Sequence, residues 1–451
     1  MNKIKLIVIV LVILALVGVG LKFLSSSLNG ATGPSQGANG TAAVTPQSPT
    51  PPTPTPTPTP APPFKRATGS TDITILNTST TTSQFLPGAT FTQNDTHLTD
   101  PGEQSQLAKG VGYLNVFIYG WGTDNPMSGA GQYDWSSLDQ QVDIMRHIRD
   151  LSGGKTKLMI SLCCAPDWMK NNSDINTAPN PGNYADFANL AKKVVQRYPD
   201  IQNFQVWNEL KGFNNPSDYM QLYNDVYDAV KSVRPSARLG GPYNGISLGE
   251  IPDPVTAQWL NIKHGGDFVA IDGGFNSNSS SQDFSNAHFY TDFATWLRQL
   301  PHGGATLPFG WAEWYPGTVQ QYSDENHFNA TMANAMISTV KSGASYALMW
   351  GVEGGIEGAY LEGDGQQEGL IDYNGPTPWY YTVKDFYDYF GPGTALLTVN
   401  NNTNKAVTVL ASSKKTMIVN QLGSKQTVVI NGYEVPLAPY QVLMINTIHA
   451  S

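Results

Sequence analysis

Cysteine is almost missing from this chain: of 451 residues only two are cysteine, and they are neighbours, Cys163 and Cys164. Adjacent residues on a strand point to opposite faces, so a bridge between them would demand strained geometry, and both read as free, small, buried side chains. No basic group lies close in sequence to activate either thiol. Charge is also scarce, at 14% Asp, Glu, Lys and Arg with a net charge of -9. No lysine or arginine run follows the first few residues, which excludes nucleic acid as an expected partner. His264, His288, His302 and His327 show no metal-ligand spacing, and no metal or cofactor is expected in catalysis. A glycine-rich nucleotide loop after the first strand is lacking too, which argues against a doubly wound dinucleotide fold.

What is present begins with targeting. Lys3 and Lys5 precede an uncharged apolar run from Leu6 to Leu21, followed by Lys22. The run is long for a signal-peptide core and slightly short for a ~20-residue span. No clean small-residue cleavage site follows, so residues 1–24 are read as a membrane anchor in preference to a cleaved signal. Lysines ahead of the run place the carboxyl-terminal bulk outside, at the cell surface or secreted. Residues 25–69 are Gly, Ser, Ala, Thr and Pro, including PTPPTPTPTPTPAPP from Pro49. That composition cannot bury a core, and a disordered, extended spacer is expected. Asn-x-Ser/Thr sequons at Asn39, Asn77, Asn94, Asn171, Asn278, Asn329 and Asn401 are compatible with an exported glycoprotein.

From residue 70 short apolar runs alternate with segments of helical period, the pattern of a parallel α/β fold. Strand candidates are ITIL at Ile73, LNVFIY at Leu114, KLMISL at Lys157, FQVW at Phe204, RLGG at Arg238, DFVAI at Asp267, PFGWA at Pro308 and YALMW at Tyr346. Between them apolar residues recur three or four apart, as in Leu138, Val142, Met145 and Ile148, or Tyr219, Leu222, Val226 and Val230. Eight repeats over 70–392 imply a (β/α)8 TIM barrel. Short alternating runs broken by Asn and Gly then imply a small β-domain over 393–451, packed on the barrel with help from residues just after the linker.

Two of the apolar runs end in glutamate: FQVWNEL with Glu209 and PFGWAEWYPG with Glu313. Carboxyl ends of barrel strands are where catalytic groups of this architecture sit. Two carboxyl groups about 5–5.5 Å apart, one protonated and one ionised, are what hydrolysis of a glycosidic bond with retention requires. With these residues the chain resembles clan A of the glycoside hydrolases, retaining (β/α)8 enzymes whose acid/base follows an asparagine at the end of strand four and whose nucleophile ends strand seven. VWNE, Gly240-Gly241-Pro242 after strand five, YDWSSLDQQVDIM and GLIDYNGPTPWYYTVKDF look most like family 39 and its neighbours, which include β-xylosidases, α-L-iduronidases and bacterial exopolysaccharide hydrolases.

The resemblance implies Glu209 as acid/base, Glu313 as nucleophile, Asn208 on the sugar's 2-hydroxyl and Trp350 as the platform under the sugar at the cleavage site. Trp168 and Tyr315 are candidates for stacking on neighbouring sugars, and Asp272 for the substrate-binding place on strand six. The chain departs from the pattern at Leu210, where proline is usual, on strand two, which lacks an arginine, and on strand six, which reads AIDGGFN. The acids Glu353, Glu357, Glu362, Asp364 and Glu368 fall in a glycine-rich stretch and read as a solvated loop beside the mouth in preference to a calcium site. The expected function is cleavage of a β-linked polysaccharide or oligosaccharide of glucan, xylan or mannan type, endo before exo. A barrel without catalysis, acting as a surface carbohydrate-binding or envelope protein, is the alternative.

Overall fold

The computed structural model describes residues 64–275, 280–316, 324–354, 371–372 and 375–449. The expected anchor and the linker up to residue 63 lie outside the described residues. Among the described residues no helix is long and apolar enough to cross a membrane.

Eight parallel strands close into a barrel: β1 (Leu86–Thr90), β2 (Tyr113–Phe117), β3 (Lys157–Leu162), β4 (Asn203–Val206), β5 (Arg238–Ser247), β6 (Phe268–Phe275), β7 (Phe309–Pro316) and β8 (Tyr346–Trp350). Helices α1 (Pro101–Gly110), α2 (Ser136–Leu151), α3 (Tyr184–Arg197), α4 (Pro216–Lys231), α5 (Pro254–Ile262), α6 (His288–Leu297), α7 (Glu325–Lys341) and α8 (Pro378–Tyr389) follow them in turn. Helix α4 illustrates how local sequence sets these bounds. Asn215 caps it by accepting from the Asp218 amide at 3.1 Å, Pro216 opens the first turn and Lys231 closes the last. Its Tyr219, Leu222, Val226 and Val230 are all buried, the face expected from their spacing.

The first strand is a correction. Ile73–Thr82, expected as barrel strand one, instead joins a five-stranded sheet with Lys65–Arg66, Ala395–Asn401, Gln426–Ile430 and Tyr433–Leu437. A three-stranded sheet, Val407–Ala411, Lys415–Asn420 and Val442–Asn446, packs against it around Ile75, Val409, Ile418, Val428 and Val435. This sandwich docks on α7, where Lys341 donates to the Val409 carbonyl at 3.0 Å and Thr408 to Asn334 at 2.6 Å. The true β1 reads LPGAT, and Gly88 explains why it is hard to see. A Cβ there would lie 2.5 Å from Leu348 and 2.7 Å from Tyr113, so the strand needs glycine to let its neighbours close the barrel.

The cysteine reading is also corrected. Cys163 and Cys164 are joined to each other by a disulfide, and the peptide between them is cis. The alternation of faces assumed for a trans strand therefore does not hold at this pair, which sits at the exit of β3.

Candidate active site

A polar layer crosses the barrel interior below its mouth. Asn115 on β2 donates to Thr90 on β1 at 3.1 Å, Ser161 on β3 donates to Asn115 at 3.1 Å, and Gln205 on β4 donates to Ser161 at 2.8 Å, all four fully buried. Hydrogen bonds at this depth fix the relative height of four strands. On top of β4 the chain turns sharply, with positive φ at Trp207 (74°), Glu209 (48°), Leu210 (54°) and Gly212 (80°). Backbone in this region persists only when its surroundings hold it. Here the buried Trp207 donates its indole N–H to the Lys211 carbonyl at 2.9 Å and packs edge-on against Phe187 and Phe213. Gly212 cannot be replaced, because a Cβ would approach the Asn176 carbonyl to 2.2 Å. The turn buries Asn208, whose Oδ1 accepts no hydrogen bond from the described residues, and leaves Glu209 partly exposed at the mouth.

Strands β5 to β7 carry the facing wall. Gly245, Asp272 and Glu313 run in register across them. Glu209 reaches over this row, with Oε1 3.7 Å from where a Cβ at Gly245 would be. Two strand spacings of about 4.8 Å separate Gly245 from Glu313, within the combined reach of two glutamate side chains. Lys211 joins the two sides, forming an ion pair with Glu209 while its charge also lowers the pKa of Glu313.

Glu313 is 5% exposed. Burial raises its pKa, opposed by hydrogen bonds from Tyr315 and Tyr243 and by the charge of Lys211. Tyr315 donates to Oε2 at 2.5 Å and Tyr243 to Oε1 at 2.9 Å. The fully buried Tyr243 phenol is itself pushed well above its ordinary range, first by burial and then by the charges of Glu313 and Asp272, so it faces both carboxylates. Sequence reasoning missed Tyr243. It sits at a register shift between β5 and β6, where Pro242 pairs with Ala270 and Asn244 with Ile271, leaving Tyr243 as the extra residue with φ 54°. Such bulges re-aim side chains next to functional sites, and Gly-Pro-Tyr-Asn-Gly was the available signal. A second shift, between Ile271 and Asp272, accommodates β7 just below Glu313.

Aromatic residues divide into two kinds. Trp350, partly exposed at the end of β8, meets Trp121 edge-on with ring centres 5.6 Å apart and Phe117 at 5.8 Å. Trp121 was not anticipated, although its setting between two glycines of positive φ, Gly120 and Gly122, marks a tight turn. Trp168 is partly exposed on the β3 loop and tied by its N–H to the Met127 carbonyl at 3.0 Å. By contrast Trp311 and Trp314 are fully buried, and Trp314 donates to Thr339 on α7, away from the barrel axis. Beside β8, Glu353 accepts from the His97 amide at 2.5 Å and from Thr96 at 3.2 Å, which ties the β1 loop down. Glu357, Glu362, Asp364 and Glu368 lie outside the described residues. Among the described residues no group of His, Cys, Asp or Glu is arranged to hold a metal.

A scan against models of protein families and a search of curated proteins find no match. Solved structures do match in fold. SrfJ from Salmonella typhimurium aligns with a TM-score of 0.62 at 15% identity, over 83% of this chain and 92% of that one. An endo-β1,6-glucanase aligns at 0.60 and 14% identity over 85% and 94% of the two chains. A family 39 β-xylosidase from Caulobacter crescentus aligns at 0.56 and 15% identity, over 84% and 97%. The chain therefore shares the (β/α)8 barrel fold of these structures.

Proposed function

We propose that this protein is a retaining glycoside hydrolase that cleaves β-linked polysaccharide or oligosaccharide of glucan, xylan or mannan type by double displacement, endo in preference to exo. The observation that carries the reading is Glu313: a buried carboxylate with a phenol donor on each oxygen, across the mouth from a second, partly exposed glutamate. A buried carboxylate that must stay ionised needs such donors, and a nucleophile needs to be ionised. Glu313 attacks the anomeric carbon, and Glu209 protonates the departing oxygen and then takes a proton from the incoming water. Asn208 binds the 2-hydroxyl, and Trp350 with Trp121 forms the apolar floor under the ring. Asp272, Tyr315 and Trp168 contact hydroxyls or rings of bound sugar. The protein works outside the cell, at the surface through residues 1–24 or released.

The test is hydrolysis of β-glucans, xylan, mannan and aryl β-glycosides, with the first-formed anomer followed by NMR. One substrate cleaved with the β-anomer appearing first supports the reading. An α-anomer would refute the double displacement, and binding without any turnover would favour a carbohydrate-binding barrel.

Lys211 supplies a second check. It pairs with Glu209, and its charge lowers the pKa of Glu313; Asp272, Tyr243 and Tyr315 are the other titratable groups around the two carboxyls. Removing the cation raises the pKa of Glu313. With Lys211→Met, therefore, the acid limb of the kcat/KM profile is expected to move to higher pH. A profile that keeps the wild-type acid limb would show that Lys211 does not act on Glu313.

A further inference from the structure

The barrel's other end, where the strands begin, is open. A cavity of about 460 Å³ lies there, and Tyr113, Lys157, Asn203, Arg238, Phe268 and Tyr346, the first residues of six strands, line it. That volume falls within the range of small-molecule sites. Arg298, from the turn after α6, completes the wall, and no acidic residue lines the cavity. In a chain of net charge -9, Lys157, Arg238 and Arg298 make no ion pair with any carboxylate among the described residues.

Each cation is held by neutral groups instead. Arg298 donates to the Gly304 and Leu307 carbonyls at 2.9 and 2.7 Å, Arg238 makes a long contact to Asn203 at 3.4 Å, and Lys157 sits over the Tyr113 ring. Lys157 and Arg238 face each other closely enough that the arginine lowers the lysine's pKa, after the larger effect of burial. Cations gathered at one opening with no carboxylate between them give it a positive potential that favours an anion. A second, independent observation concerns Tyr346, which is 2% exposed on the cavity wall with a hydroxyl that makes no hydrogen bond among the described residues. A buried hydroxyl without a partner is rare and points to a missing one.

We propose that this cavity binds a small sugar-sized molecule bearing an oxyanion, a phosphate or a carboxylate. Guanidinium groups and an ammonium match the oxyanion. Tyr113, Phe268 and Tyr346 give the cavity an apolar wall, and the Tyr346 hydroxyl gains its partner. The site lies at the opposite end of the barrel from Glu209 and Glu313 and does not depend on their chemistry.

The test is thermal unfolding of the full chain, in detergent and low salt, with glucose 6-phosphate, glucuronate, inorganic phosphate, glucose, and KCl matched for ionic strength. One of the two sugar acids is expected to raise the midpoint saturably, by roughly 3 °C at a hundred times its Kd. Which one does so distinguishes phosphate from carboxylate, while glucose and KCl give no shift. Arg238→Gln and, independently, the solvent-reaching Lys157→Gln are each expected to abolish it. No saturable shift with either sugar acid would overturn the proposal. So would undiminished shifts in both variants, or inorganic phosphate alone doing as much as the sugar acids.

Discussion

Glu313→Gln is expected to abolish turnover, by roughly 10⁴–10⁶-fold as for removal of a nucleophile elsewhere, without lowering the thermal midpoint. The two halves of that expectation come from the same burial. Desolvation opposes the charge on Glu313, and the hydroxyls of Tyr243 and Tyr315 offset only part of it. A neutral amide of the same shape relieves the desolvation, so the folded state loses nothing while the chemistry loses its attacking oxygen. Chemical rescue sharpens the test. In Glu313→Ala, azide entering the emptied space attacks the anomeric carbon directly, and a β-linked substrate gives the α-azide. Wild-type activity in the Gln variant, or unfolding at a much lower midpoint, would remove Glu313 from the role assigned to it.

Seven of the barrel strands were legible because parallel strands covered on both faces read as short apolar runs, and KLMISL and YALMW coincide with β3 and β8. The first was not, for two reasons that reinforce each other. Ile73–Thr82 is a good strand sequence in the expected place, and it is a strand, but its partners Ala395–Asn401 and Ile430 are more than three hundred residues away, and no local pattern reveals such a pairing. LPGAT meanwhile carries the proline and glycine that argue against a strand, and only the crowding of Leu348 and Tyr113 against Gly88 explains them.

At the site the same division holds. Asn208, Glu209 and Glu313 follow apolar runs in plain phase, and the structure brings them to one mouth together with Asp272 and Tyr315. Tyr243 and Trp121 were hidden because each depends on a positive φ: one extra residue in β5 turns Tyr243 inward, and the Gly-Trp-Gly turn presents Trp121 to Trp350. Periodicity assumes regular backbone and fails where the backbone is bent to aim a side chain. The disulfide between neighbouring cysteines was missed for the same reason.

Glu209→Gln is expected to separate the two carboxylates by leaving group. Departure of an alkoxide needs the proton, so hydrolysis of a natural glycan should fall by roughly 10²–10⁴-fold, the usual share of a general acid. An aryl glycoside whose phenol leaves unassisted should still form the glycosyl-enzyme at close to the wild-type rate, giving a burst followed by slow turnover. Azide, which needs no base, should then restore turnover and yield the β-azide, because it attacks from the face opposite Glu313. Opposite azide anomers from the two variants would be difficult to reconcile with any assignment but the one made here. The Lys211 pair adds a condition: the ion pair with Glu209 must open before that carboxyl can pass a proton to the departing oxygen. Equal losses on both substrates in Glu209→Gln would show instead that Glu209 binds sugar and that the proton comes from elsewhere.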